Sequence, residues 1–176
     1  MEKDQRDLLR VFNERKVKYL VVGGYAVSHF TEPRVTKDLD IFIDTSDENV
    51  ALVYAALATF GAPLAGMTPK DFQDPAYGFQ IGQPPSRIDI LQELTAVDFD
   101  SAWQAGEDAM IDIDIPVRYI SAADLIKNKL ALGRHRAPEN VTGRILRGRS
   151  ASHWKRRCTA QSGRFPFKRS IPPRVK

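Results

Sequence analysis

Two neighbouring sequence patterns restrict what this 176-residue chain can fold into. An apolar, β-branched run stops at Gly23-Gly24, and a second such run contains Asp38 and Asp40 separated by a single leucine. Side chains at positions i and i+2 of a strand project from the same face. We therefore expect a strand that directs two carboxylates to one point next to a glycine turn.

The wider hydrophobic pattern predicts an α/β (α+β) domain, with a mixed β-sheet of about five strands and helices packed on it. Helices are predicted over 4–16, 25–30, 45–60, 99–104 and 122–132, and strand candidates lie at 17–22, 38–44, 77–81, 87–91, 110–113 and 117–120. Thr45 and Glu48 match a capping box that would open the third helix. The last two strand candidates lie on either side of Pro116.

The formal net charge of +4 hides an uneven distribution along the chain. Residues 1–133 carry 13 basic and 21 acidic side chains, whereas residues 134–176 carry 13 basic side chains and a single acid, Glu139. Hydrophobic periodicity also stops at this boundary, so we predict a folded domain followed by a basic, disordered or irregular tail. The tail has two interpretations, a nucleic-acid-binding arm with interspersed aromatic residues and a frame-shifted or degenerate C-terminus.

Composition excludes several classes of protein. The single cysteine and three histidines exclude a disulfide framework and a cysteine zinc site, and they argue against metal binding through nitrogen. No apolar run approaches the roughly 18–20 residues that cross a bilayer. The charged N-terminus lacks the apolar segment of a signal peptide, so we expect a cytoplasmic protein that does not enter a membrane.

Each opening pattern also has an ordinary structural explanation. A glycine pair can simply form a tight turn, and alternating acids often mark a solvent-facing strand, as we interpret Asp112 and Asp114. A third acid, Asp89, distinguishes the present case because it lies among apolar residues in the predicted strand 87–91. Carboxylates buried without a partner are costly, and a bound cation would offset that cost for all three together.

The order of these features resembles the polymerase-β-like nucleotidyltransferase superfamily. The glycine pair comes first, the two acids follow in Arg34-x-Thr36-Lys37-Asp38-Leu39-Asp40, and the third acid lies on a later strand. The pattern is similar to the small bacterial abortive-infection and antitoxin-type nucleotidyltransferases. The likeness extends over residues 17–132 and includes 124–131, which resembles the helix that follows the catalytic strands in that family.

The resemblance implies a two-metal enzyme. It implies that Asp38 and Asp40 bind Mg²⁺ or Mn²⁺ ions bridging the triphosphate of an NTP, with ATP as the first candidate. Asp89 would complete the second metal site and help to deprotonate the attacking hydroxyl. Amides near Gly23-Gly24 would hold the outer phosphates, and Lys129 would pair with the triphosphate, unless it is simply a solvent-facing lysine.

One position departs from the family pattern, since many members have Gly-Ser where this chain has a second glycine, Gly24, and the serine hydroxyl contacts phosphate. The acceptor implied by the resemblance is a hydroxyl on a protein, an RNA or a small molecule, with a cognate toxin and a tRNA as candidates. Two other functions stay open at this point. One is a non-catalytic component of a toxin–antitoxin pair, and the other is an RNA-binding protein that acts through its basic tail.

Overall fold

The structure is a computed structural model that describes residues 1–31, 36–75, 78–83 and 86–133. The predicted tail, 134–176, and Arg34 of the family-like pattern lie outside these residues. Five α-helices are present in the described part: α1 Lys3–Glu14, α2 Gly23–Phe30, α3 Asp47–Phe60, α4 Phe99–Ala105 and α5 Ala122–Ala131. Its strands are β1 Tyr19–Val21, β2 Leu39–Ile43, β3 Phe79–Gln83, β4 Ser86–Leu91, β5 Glu107–Ile111 and β6 Ile115–Tyr119. None of these helices combines the length and the apolar character needed to cross a membrane.

The predicted mixed α/β class is confirmed, with six strands in the described residues instead of about five. The strands form one sheet in the order β3-β4-β2-β1-β6-β5. Strand β2 runs parallel to β4, and β1 runs parallel to β6, while the other neighbouring pairs are antiparallel. The two strands that carry the predicted acids are therefore adjacent and run in the same direction.

Alternation along the central strands directs side chains to two helix-covered faces of the sheet. On one face, Phe12 of α1 packs edge-on against the ring of Tyr19, which pairs across to Ile43. On the other face, Phe42 of β2 packs edge-on against Phe99 of α4. Because residues two apart share a face, Asp40 lies on the same face as Phe42.

Helix α3 begins later than the capping-box pattern predicted. Its N-cap is Ser46, whose Oγ accepts a hydrogen bond from the Asn49 N–H at 3.4 Å, so the prediction of a cap at Thr45 is wrong. The Asn49 amide donates in turn to the backbone carbonyls of Lys18 and Asp44, at 3.0 and 2.8 Å. These contacts fix the start of α3 against β1 and β2, and a local pattern contains no information about them.

The turn between β5 and β6 also differs from the expectation. Asp112 lies in this turn with a φ of 59°, whereas Pro116 lies inside β6 and pairs with Met110. Proline is tolerated there because β6 pairs with β1 only at Tyr119, so the missing N–H removes no bond to β1.

Gln5 is a buried amide that connects α1 to both acid-bearing strands. Its Nε2 donates to the Lys37 carbonyl just before β2, at 2.6 Å, and to the Arg87 carbonyl in β4, at 3.2 Å. Its Oε1 accepts a hydrogen bond from the Tyr25 hydroxyl of α2 at 3.0 Å. With only 1% of its surface exposed, Gln5 holds the starts of β2, β4 and α2 in a fixed relation.

We expect Gln5→Leu to lower the free energy of unfolding by about 2–4 kcal/mol, because it leaves part-buried carbonyl and hydroxyl groups without the partner that Gln5 supplies. Urea denaturation followed by circular dichroism measures the effect. Gln73→Leu is the matched control, since the Gln73 amide donates to the Thr45 carbonyl and to Asp47 from a half-exposed position. Equal losses for the two variants would contradict a special role for Gln5.

Candidate functional site

The parallel pairing of β2 and β4 places two of the predicted site residues side by side. Asp40 of β2 is the register partner of Asp89 of β4. Register partners on adjacent strands share a face, so both carboxylates project from the face that α4 covers. Asp89 is 8% exposed, which is low for an aspartate.

Asp38, which lies just before β2 begins, is joined to β4 through Arg87. Its Oδ1 accepts a hydrogen bond from the Arg87 backbone N–H at 3.2 Å, and its Oδ2 accepts one from Arg87 Nη2 at 3.0 Å. The same Nη2 lies 3.8 Å from Asp89 Oδ2. The structure thus connects Asp38 with Asp89 through an arginine, whose role in the site the sequence analysis did not identify.

The glycine pair leaves room for side chains that approach from β2 and from the segment before it. Gly23, the first residue of α2, has a φ of 59°, and a Cβ at this position would lie 1.8 Å from Asp40 Oδ2. A Cβ at Gly24 would lie 2.3 Å from the Oγ1 of Thr36. Gly23 therefore requires glycine for space and for its backbone conformation, whereas a side chain at Gly24 would require the Thr36 side chain to move.

The N-terminus of α2 faces a carboxylate. The Gly24 N–H donates to Asp40 Oδ2 at 3.4 Å, and no side chain caps the helix at Val22. A helix N-terminus attracts negative charge through its unpaired N–H groups and its dipole. In this structure Asp40 occupies the place in which the sequence analysis expected phosphate.

Burial and mutual repulsion both act on the acids. Burial raises the pKa of Asp40 above its ordinary value, the Gly24 N–H opposes the shift, Asp38 adds to it, and the charge of Lys129 opposes it. Burial likewise raises the pKa of Asp89, to about 6, against the opposing charge of Arg87 and with further contributions from Asp40 and Asp38. Burial is thus the largest cause of both pKa shifts, and the neighbouring acids add to them.

Lys129 lies within electrostatic reach of this site. It is half-buried on α5, and α5 packs against α2. Its positive charge acts on Asp40. The structure thus brings Lys129 close enough to Asp40 for its charge to act on this carboxylate.

The chemistry of the site fits a hard divalent cation. All three acids offer carboxylate oxygens, which Mg²⁺ and Mn²⁺ prefer, and Asp89 Oδ1 is buried without a hydrogen-bond partner among the described residues. The geometry is not that of an assembled metal site, since the described residues contain no group of three acidic, histidine or cysteine side chains placed to hold an ion. Asp38 is held by Arg87 and Asp40 by Gly24, so the oxygens do not converge.

No protein-family model matches this chain, and no curated protein is found to be similar to it. The nucleotidyltransferase resemblance therefore depends on the motif residues and on the geometry described above.

Gly23→Ala tests the close approach of Asp40. We expect a loss of about 3 kcal/mol or more in the free energy of unfolding, because the methyl group adds a clash with the carboxylate to the cost of a left-handed alanine. Gly66→Ala is the matched control, since Gly66 has a φ of 75° and no atom within 4 Å of the place that a methyl group would take. It should lose only about 1–2 kcal/mol.

The same clash predicts that the stability effects of substitutions at Gly23 and Asp40 are not additive. Gly23→Ala should cost less in an Asp40→Ala background, in which the two atoms nearest the new methyl group are gone. Identical costs in the two backgrounds would show that Asp40 does not restrict residue 23.

Asp89→Asn should change the pH dependence of stability. Because the pKa of Asp89 is raised from 3.8 to about 6 in the folded state, its protonated form contributes stability that is fully present below about pH 4 and is lost as the pH rises through 6. In EDTA at pH 7.5, we expect Asp89→Asn to exceed the wild type by up to about 3 kcal/mol, with little difference at pH 4.

Urea denaturation at the two pH values measures this change. Asp100→Asn is the control, since it removes a side chain that is 79% exposed on α4. The interpretation fails if Asp89→Asn and the wild type lose stability equally between pH 4 and pH 7.5.

Proposed function

We propose that this protein is a metal-dependent nucleotidyltransferase with a polymerase-β-like fold, which transfers NMP from an NTP to a hydroxyl acceptor. The main support is the placement of Asp40 and Asp89 on adjacent parallel strands, beside a helix that begins with two glycines. Further support comes from Lys129, whose charge acts on the same site. ATP is the first substrate to test.

Under this proposal, Asp38, Asp40 and Asp89 hold Mg²⁺ or Mn²⁺. Such an ion neutralises phosphate charge and makes a bound hydroxyl more acidic. Asp89, whose Oδ1 accepts no hydrogen bond among the described residues, would help to deprotonate the attacking hydroxyl. The new bond joins the acceptor oxygen to the α-phosphorus, and the bond from that phosphorus to pyrophosphate breaks.

The remaining residues bind and orient the triphosphate. Lys129 supplies a positive charge beside Asp40. The amide groups at the start of α2 provide donors and a positive helix end, although Gly24 N–H must first leave Asp40 Oδ2. The acceptor is a hydroxyl of a protein, an RNA or a small molecule, and a cognate toxin or a tRNA within a toxin–antitoxin system is our first candidate.

Transfer of label from α-³²P-NTPs to components of a lysate, with Mg²⁺ or Mn²⁺ present, tests this function. We expect transfer by the wild type and a loss of at least about 100-fold in Asp38→Ala/Asp40→Ala, because the cation site contributes several kcal/mol to transition-state stabilisation. Asp100→Ala is the control for removal of an exposed carboxylate. Absent transfer by the wild type, or full transfer by the double variant, would refute the proposal.

The same assay separates a nucleotide-binding lysine from a surface lysine. Lys129→Ala should raise the NTP concentration needed for half-maximal transfer. Lys127→Ala should not, since Lys127 is exposed on the same helix. Equal effects of the two substitutions would show that Lys129 does not bind the nucleotide.

A further inference from the structure

Arg87 lies between two of the acids that hold the cation in the proposed function. Its Nη2 is 3.0 Å from Asp38 Oδ2 and 3.8 Å from Asp89 Oδ2. A Mg²⁺ ion binds carboxylate oxygens at about 2.1 Å. An ion that joins these two carboxylates therefore needs the space in which the guanidinium now lies.

The backbone and the side chain of Arg87 are held differently. The backbone N–H donates to Asp38 Oδ1, and the carbonyl accepts from the buried Gln5 amide. The side chain is 32% exposed, and its buried Nε has no hydrogen-bond partner among the described residues. The guanidinium can consequently leave the carboxylates while β4 keeps its position.

Displacement of the Arg87 guanidinium by a cation has an electrostatic cost. The guanidinium of Arg87 lies 3.0 Å from one carboxylate oxygen of Asp38 and 3.8 Å from one of Asp89, so it is attracted to both. A cation that replaces Arg87 must overcome this attraction, and the positive side chain also repels an arriving ion. Removal of the guanidinium charge eliminates both costs.

We propose that Arg87 is an internal counter-ion that competes with the divalent cation for Asp38 and Asp89, and so determines the metal affinity of the site. The proposal rests on the proposed function, because it assumes that the acids bind a cation. Arg87 acts here as a positioning residue: it keeps the metal-free acids together and is displaced when the ion binds.

Mn²⁺ binding, measured by the loss of the EPR signal of free Mn²⁺, tests the competition without any need for activity. We expect Arg87→Gln and Arg87→Met to bind Mn²⁺ at least about tenfold more tightly than the wild type, because a unit positive charge within a few ångströms is removed. Arg87→Gln keeps a hydrogen-bond donor for Asp38, which favours folding, and circular dichroism checks each variant. A purely structural role for Arg87 predicts weaker binding instead.

Arg118→Met is the matched control. Arg118 also pairs with an aspartate, Asp108, and packs on Trp103, but it touches none of the proposed ligands. Its substitution should leave Mn²⁺ affinity unchanged. If the wild type binds Mn²⁺ and both Arg87 variants bind no more tightly, the inference about Arg87 is wrong while the proposed function stands. If no variant binds Mn²⁺, the proposed function fails, and this inference fails with it.

Discussion

Mutual repulsion among three carboxylates is the constraint on which this end of the sheet depends. The parallel register of β2 and β4 puts Asp40 beside Asp89 on one face, so the two charges cannot be separated by turning to opposite faces. Two like charges 4 Å apart cost about 4 kcal/mol at an effective dielectric constant of 20. The contacts around these acids are therefore best understood as compensation for that cost.

The contacts that offset this repulsion are of two kinds, and the two kinds differ in how easily they are broken when a ligand binds. Gly24 N–H and Arg87 N–H are backbone donors, so they fix the carboxylates relative to α2 and β4. The guanidinium of Arg87 and the ammonium of Lys129 lie on side chains, and they can change partners without a change of fold. Under the proposed function, the Arg87 N–H keeps Asp38 in place, whereas the Gly24 N–H and the two charged side chains release the acids when the cation and the triphosphate bind.

Features of this site that depend on residues close together in the sequence could be predicted, and features that depend on distant residues could not. The common face of β2 side chains follows from the two-residue period and was expected from residues 38–44 alone. Arg87 and Gln5 were missed because their decisive bonds link residues 49 and 82 positions apart. The pairing of β2 with β4 brings Arg87 to Asp38, and the packing of α1 brings Gln5 to the Arg87 carbonyl. No local pattern encodes either contact. The cap of α3 was misplaced by one residue for a local reason, since Ser46, next to Thr45, also carries a hydroxyl, and it is Ser46 that accepts the Asn49 N–H.

The structure also gives a steric explanation for the second glycine, Gly24, that the sequence does not show. Its departure from the Gly-Ser of many nucleotidyltransferases implied the loss of a phosphate-contacting hydroxyl. A serine at this position would bring its Cβ to 2.3 Å from Thr36 Oγ1, so a serine would fit only if the Thr36 side chain moved. Gly24 thus leaves room for the side chain of Thr36, whose own hydroxyl lies beside the start of α2. A hydroxyl group therefore does lie beside the start of α2, on the segment that leads into β2 and not on the helix.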